Sequence, residues 1–332
     1  ILVVDGGSTD GTHDVVAGYA KGDARVRLID ATPIPPQWNG KAWGLQVGLE
    51  QTAPHSDWVL TVDADVRPRP VLTRSLAAHA AAAGVTAMSV ATVQELSGWS
   101  EGLIHPALLT TLVYRFGSPG QATRRVDAVQ ANGQCFLCRR DALLEGGGFA
   151  SSRASLCEDV TLARHLVTAG HAVGFYESDT LVSVRMYASG WEAWRNWPRS
   201  LPLRDQYAGR GAVLGLLEVT LAQALPVPLL LALLRSLRRG GARRPVALFL
   251  PALFLLAING GLAAVRLGIL AGTARAYRRR PWSYWLSPLC DVPVATALWR
   301  SLFQRQHVWR GRAMISEIGA GAKSREKSGA KI

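Results

Sequence analysis

Cysteine is scarce and forms no framework. Cys135, Cys138, Cys157 and Cys290 are too few to staple a chain of 332 residues, so a disulfide scaffold is excluded and a reducing compartment is the simpler setting. Cys135 and Cys138 make a lone CxxC. No second pair and no nearby His completes a zinc site, and Gln134-Cys135-Phe136-Leu137-Cys138 reads as a buried strand. Charge is also sparse, at 18% of residues against 48% hydrophobic, which excludes a largely disordered chain. The glycine-rich stretch after the first apolar run is neither a dinucleotide GxGxxG nor a phosphate-cradling GxxxxGK[ST]. Helix-turn-helix, zinc-finger and aromatic-rich basic modules are missing, so nucleic acid is not the expected partner despite a net charge of +13.

Acidic residues thin out sharply along the chain. Residues 1–194 carry 15 Lys+Arg against 19 Asp+Glu, a net of −4, whereas residues 195–332 carry 22 against 5, a net of +17. The basic part also holds the long apolar runs, and Arg clusters beside such runs fit the surface of anionic lipid. Residues 246–265 contain 16 apolar residues in 20 without a charge, long enough to span hydrocarbon. Residues 212–234 are similar but carry Glu218, Gln223 and Pro226-Val227-Pro228, which leaves a kinked span or a re-entrant hairpin open. Residues 282–303, with Asp291 and Pro293, are weaker. The loops at 235–244 and 275–280 are both Arg-rich, so loop charge does not settle topology. Residues 189–211 mix Trp191, Trp194 and Trp197 with Arg195, Arg199, Arg204 and Arg210, as an interfacial segment would.

Before residue 186 the pattern alternates short β-rich runs with helical stretches. Strands are expected at 1–4, 26–30, 58–62, 86–91, 134–138 and 172–176, and helices at 12–21, 41–52, 70–83, 99–115 and 159–169. This argues for an α/β unit with a mainly parallel sheet flanked by helices, whose ligands sit beyond the carboxyl ends of the strands. The chain opens on Ile1-Leu2-Val3-Val4-Asp5, inside an apolar strand and without an initiator Met, as a fragment would.

Four places can carry chemistry. Asp5-Gly6-Gly7-Ser8-Thr9-Asp10-Gly11-Thr12 leaves the first strand, where a carboxylate can accept from a base or ribose; a capped turn is the alternative. Lys41 opens the second helix against its dipole, and a phosphate at that amide-rich end would explain it, as would simple solvation. Asp63 and Asp65 follow an apolar strand at alternate positions. Their repulsion is relieved if a hard divalent cation joins them and bridges to a substrate diphosphate. Glu158 and Asp159 head a helix whose dipole keeps a carboxylate ionised, suited either to capping or to a general base for a hydroxyl nucleophile.

Taken in order, Asp5-Gly-Gly-Ser-Thr-Asp-Gly-Thr, Gly40-Lys41, Asp63-Ala-Asp65, Asn132-Gly133 with Arg139-Arg140-Asp141-Ala142-Leu143, Gly147-Gly148-Phe149 and Glu158-Asp159 resemble the family 2 glycosyltransferases of the GT-A fold over residues 1–186. With Gln304–Arg312 and the apolar runs, the chain looks like the membrane-bound branch related to ceramide glucosyltransferases and hopanoid- or carotenoid-associated glycosyltransferases. The resemblance implies a Rossmann-like mixed sheet over 1–188, the interfacial segment 189–211, membrane-associated helices over 212–303 and a basic tail from 304 to 332. It implies that Asp5 contacts the uridine of a UDP-sugar donor, that Lys41 lies near the diphosphate, and that Asp63 and Asp65 hold Mg²⁺ or Mn²⁺ against it. Gly133 would line the acceptor site, Arg195 or Arg199 would stand near the phosphates, and Asp159, oriented by Glu158, would be the base of an inverting transfer of one hexose to a lipid hydroxyl. The catalytic portion would face the cytosol at the membrane. Two departures stand out: Gly6 replaces the family's usual second Asp, and the Gln-x-x-Arg-Trp motif of processive polysaccharide synthases is absent. The family's first strand would lie before Ile1. The alternatives are a catalytically silent membrane scaffold, a lipid transporter and a processive synthase.

Overall fold

Short apolar runs, each closed by a polar or glycine-rich turn, become strands, and the Ala- and Leu-rich stretches between them become helices. The computed structural model describes residues 1–239, 246–304, 306–309 and 312–315. In chain order the elements are β1 (Leu2–Asp5), α1 (Thr12–Gly22), β2 (Arg27–Asp30), α2 (Gly40–Glu50), β3 (Trp58–Val62), β4 (Val66–Pro68), α3 (Leu72–Ala83), β5 (Ala87–Ala91), β6 (Val93–Glu95), α4 (Trp99–Phe116), β7 (Gln121–Thr123), β8 (Cys135–Arg139), α5 (Arg140–Glu145), α6 (Glu158–Thr168), β9 (Val173–Glu177), β10 (Val182–Val184) and α7 (Gly190–Asn196). The C-terminal part follows with α8 (Gly211–Glu218), α9 (Pro226–Arg239), α10 (Val246–Thr273), β11 (Tyr277–Arg279), α11 (Asp291–Phe303), β12 (Gln306–Trp309) and β13 (Arg312–Ile315).

The central sheet is mixed rather than mainly parallel. Its order is β3-β8-β5-β9-β7, with β8 antiparallel to both β3 and β5, β5 parallel to β9, and β7 antiparallel to β9. β1 and β2 form a separate parallel pair, and β11-β6-β10-β4 make a second small sheet. The reversal comes from β8, which reaches its place by a long irregular connection after β7 instead of by a helical crossover. Period-two alternation along β8 builds the core on both faces. Cys135 and Leu137 pack with Leu72, Leu76 and Ala80 of α3, while Phe136 and Cys138 pack with Leu49 of α2 and with Leu162 and Leu166 of α6. Cys135 and Cys138 therefore stand on opposite faces. Burial pushes both thiols up to about 12, the behaviour of inert core cysteines.

The C-terminal helices pack onto α4. Ala107 and Leu108 of α4 lie in one cluster with Leu216 of α8 and with Val294, Leu298 and Leu302 of α11. A single π-helical stretch, Val219–Ala224, follows α8, and the chain bends by 42° before α9, so residues 212–234 form a broken element. Leu250–Ala276 is the one helix among the described residues long and apolar enough to cross a membrane. The 282–303 run does not make another such helix: Trp282–Cys290 is 3-10 and α11 has 13 residues. Its Asp291 is fully buried in an ion pair with Arg266 of α10, Nε to Oδ2 at 2.8 Å, and accepts from Gln223 Nε2 at 2.7 Å, while the same Gln223 amide donates to Ala107 O. That cluster fastens α10, α11 and the π-helical stretch to α4, and removing one partner of such a pair costs about 3–5 kcal/mol. Arg305, Arg310 and Gly311 of the Gln304–Arg312 run and all of the tail from Gly319 lie outside the described residues.

Candidate functional site

The carboxyl ends of β1, β3 and β5 and the amino end of the antiparallel β8 open into one cleft of about 3930 Å³, bordered by Asp5, Lys41, Asp63, Asp65, Gly133, Glu158, Asp159 and Arg199. The turn after β1 is organised by Asp5 itself. Its carboxylate, 6% exposed, accepts from Gly7 N at 3.0 Å, from Ser8 N and Oγ at 2.9 and 2.5 Å, and meets His13 Nε2 at 2.9 Å. The Ser8 hydroxyl bond and the other donors hold the carboxyl well below the usual range against burial. Gly7 and Gly11 take positive φ, 98° and 81°, which is why glycine stands at these turn positions.

Asn39 caps α2, accepting from Ala42 N at 2.7 Å, and its amide donates to Ser155 O at 2.9 Å. This bond ties the start of α2 to the loop before α6, and so brings Lys41 against the head of α6. Lys41 Nζ lies 2.8 Å from Asp63 Oδ1, 3.0 Å from Asp63 Oδ2 and 2.8 Å from Glu158 Oε1. Desolvation lowers the ammonium's affinity for its proton, but Glu158, Asp63 and Asp159 together hold it well above the ordinary lysine range. A cation does relieve the carboxylate repulsion expected at Asp63, and in the chain itself that cation is Lys41. The Asp65 carboxylate, by contrast, is exposed and makes no hydrogen bond or ion pair among the described residues.

Asp159 sits at the second position of α6, Oδ2 accepting from Gly133 N at 2.6 Å and Oδ1 from Val160 N at 2.8 Å. Burial and the adjacent Glu158 charge push its carboxyl up to about 6, overcoming Lys41 and the two N–H donors. The helix dipole is thus not the ruling influence, although the group is still largely ionised at neutral pH. Gly133 is pressed against this cluster. A Cβ there would lie 2.9 Å from Lys41 Nζ and 3.2 Å from both Asp159 Cβ and Glu158 Oε1, so Gly133 holds the base rather than merely bordering open space.

Of the two arginines, Arg199 borders the cleft, whereas Arg195 of α7 is exposed and lies outside its lining. Three polar residues of the site were not singled out from the sequence. Thr92, Gln94 and Gln134 are buried and linked, Thr92 Oγ1 donating to Gln134 Oε1 at 2.5 Å and Gln94 Nε2 to Thr92 Oγ1 at 2.9 Å, and Asn132 Nδ2 reaches Val90 O at 3.1 Å. Gln134 directly before the apolar Cys135–Cys138 run was the visible signal, because a buried amide needs partners. Among the described residues no group of three or more His, Cys, Asp or Glu side chains is arranged to hold a metal. Asp65 nonetheless offers a free carboxylate beside Asp63, a donor set that fits a hard cation completing its shell with diphosphate oxygens and water.

Residues 1–147 match the family model described as Glycosyl transferase family 2. No match was found among curated proteins. Among solved structures, S. aureus TarS 1-349 in complex with UDP-GlcNAc aligns at 13% identity with a TM-score of 0.40, over 96% of this chain and 88% of that one. S. aureus TarS 1-349 aligns at 13% identity with a TM-score of 0.37, over 96% and 87%.

Proposed function

We propose that this glycosyltransferase, whose residues 1–147 match the family 2 model, moves one hexose, with inversion, from a nucleotide sugar of the UDP class to a lipid hydroxyl at a membrane surface. The observation that carries this reading is that the single ammonium of Lys41 joins a donor-side carboxylate, Asp63, to Glu158, directly beside the base-ready carboxylate of Asp159.

The chemistry divides between two sides of the cleft. On the acceptor side, a hydroxyl is a poor nucleophile, and Asp159 takes its proton as the new C–O bond forms at the anomeric carbon and the bond from that carbon to the diphosphate breaks. Gly133 N–H and Val160 N–H fix the carboxylate for that transfer, and Glu158 holds Lys41 beside it. On the donor side, Lys41 faces the negative charge that grows on the leaving diphosphate, with Arg199 at the cleft wall. Mg²⁺ or Mn²⁺, when bound by Asp65 and Asp63, would supply further charge neutralisation there. The Asp5 turn is the candidate seat of the uridine, with Gly7 and Ser8 N–H groups already committed to Asp5. Membrane attachment is supported by the Leu250–Ala276 helix and its exposed Leu250, Leu253, Phe254 and Ile258, and a cytosolic orientation of the cleft by the reduced, buried cysteines. No feature favours a silent scaffold, since keeping the half-buried Asp159 carboxylate, whose pKa is raised to about 6, ionised costs stability that a scaffold would not give up.

Stereochemistry tests the proposal. Proton NMR of the product formed from an α-linked UDP-hexose should show a β-glycoside on the lipid. An α-glycoside, or free hexose alone with every lipid acceptor, would overturn it.

A further inference from the structure

The cleft does not end at the carboxylates. Its wall continues along Leu109, Leu112, Val113 and Phe116 of α4 and along Val265, Gly268, Ile269 and Gly272 of α10. Both sets recur at three- and four-residue spacing, so each is one face of its helix, and the two faces border a common space. The α4 residues are half-buried, while Val265 is 51% exposed and a Cβ added at Gly268 or Gly272 would meet nothing within 4 Å. An apolar trough therefore runs from the reaction site onto the flank of the helix able to span a membrane.

The direction of that helix decides what the trough holds. Its C-terminal end is tied to the catalytic sheets: β11 pairs with β6 in parallel, Arg275 reaches Glu177 at 2.5 Å and Arg278 reaches Glu95 at 3.3 Å. Leu250, Leu253, Phe254 and Ile258, all strongly exposed, lie toward the other end. From Ala276 back to Val265 the helix rises roughly 16 Å at about 1.5 Å per residue. A molecule lying along it from the bilayer thus presents its head at the carboxylates and its tail along Val265–Gly272.

We propose that the α4–α10 trough is the seat of one alkyl chain of the acceptor lipid, with Gly268 and Gly272 kept small to leave room for it. The inference rests on the reading of the cleft as a site of transfer to a lipid. The occupant is a hydrocarbon chain because the trough is apolar, open at the membrane helix and continuous with a polar reaction site at its other end, which is the chemistry of a single-headed amphiphile.

Photolabelling tests it. Full-length protein in detergent micelles is irradiated with hexadecanol carrying a mid-chain diazirine, and the adducts are mapped by peptide mass spectrometry. Labelling should concentrate on peptides containing Leu109–Phe116 and Val265–Thr273. Gly268→Leu and Gly272→Leu, which enter open space, should cut it several-fold, while Gly261→Leu, on the same helix outside the cleft lining, should leave it unchanged. Calorimetric binding of UDP in the same samples should be equal in all variants. Labelling confined to Leu250–Ile258, or unaffected by leucine at 268 and 272, would overturn the trough. Absent UDP binding in the parent would instead overturn the glycosyl-transfer reading and leave the labelling result to stand by itself.

Discussion

Replacing Asp159 by Asn separates a catalytic base from a helix cap, because the two roles predict opposite changes. In the folded chain the carboxyl is raised to about 6 from an ordinary value of 3.8. A carboxyl raised on folding contributes its stability while protonated, fully below the unfolded value, and loses it as pH rises through 6. With about 1.36 kcal/mol per pH unit, holding Asp159 ionised at pH 7 costs of order 3 kcal/mol. Asparagine removes that cost. It also replaces one of the two carboxylate oxygens by an amide, so either Gly133 N–H or Val160 N–H loses its acceptor, at about 1–3 kcal/mol. The terms nearly cancel at pH 7, where the variant should melt within a few degrees of the parent, whereas below the unfolded value of 3.8 only the lost bond remains and the variant should melt lower. Turnover at pH 7 should fall by at least about 10²-fold, the usual contribution of a positioned base, with UDP affinity by calorimetry unchanged. In the parent, kcat/KM should decline on the acid side with a midpoint near 6, and that limb should vanish in the variant. Retained turnover with a clearly lower melting temperature at every pH would refute the reasoning and make Asp159 a cap.

Other perturbations probe other parts of the cleft. Lys41→Met leaves Asp63 and Glu158 without their shared cation and should lower turnover by about 10²-fold or more, with weaker UDP binding in calorimetry; parental kinetics would show that the ammonium is only structural. Asp65→Ala should abolish UDP binding in Mn²⁺ buffer, and EDTA should do the same to the parent; binding indifferent to both would remove the cation from the donor site. Replacing Leu253, Phe254 and Ile258 together by Gln should release much of the protein from sedimented membranes without lowering its melting temperature, since these side chains are exposed; unchanged sedimentation would place membrane attachment elsewhere. This variant is preferable to ending the chain near Arg210, because Leu216 and Leu298 cover Leu108 of α4 and their removal would strip the core.

The long elements were legible because periodicity speaks clearly over ten residues or within an apolar run. β3 lies at the expected 58–62, and α1, α3, α4 and α6 lie within two residues of their expected bounds. β4, β6, β7, β10 and β11 have three residues each and give no period to read. β11 is the instructive case: its Tyr277 is buried and its Arg279 exposed, yet it sits inside an Arg-rich stretch that reads as a loop. The site residues Asp63, Glu158 and Asp159 were visible as unpaired-looking carboxylates at element ends. Their shared partner was not, since Lys41 meets Glu158 across two helices that nothing local connects, and their approach is fixed by the bonds of Asn39 Nδ2 to Ser155 O and of Asn39 N–H to Arg153 O. The weak 282–303 run similarly hides its role, because Asp291 and Arg266 neutralise one another only after the helices have packed.

The measurement closest to the central claim is transfer itself. Membranes carrying the full-length protein are incubated with tritium-labelled UDP-glucose, UDP-galactose or UDP-N-acetylglucosamine, and the lipids are extracted and resolved by thin-layer chromatography, with Asp159→Asn membranes as the control. Label from at least one donor should enter a discrete lipid band that is absent from the control. Label that never enters the lipid phase, or a band of equal intensity in the Asp159→Asn membranes, would contradict it.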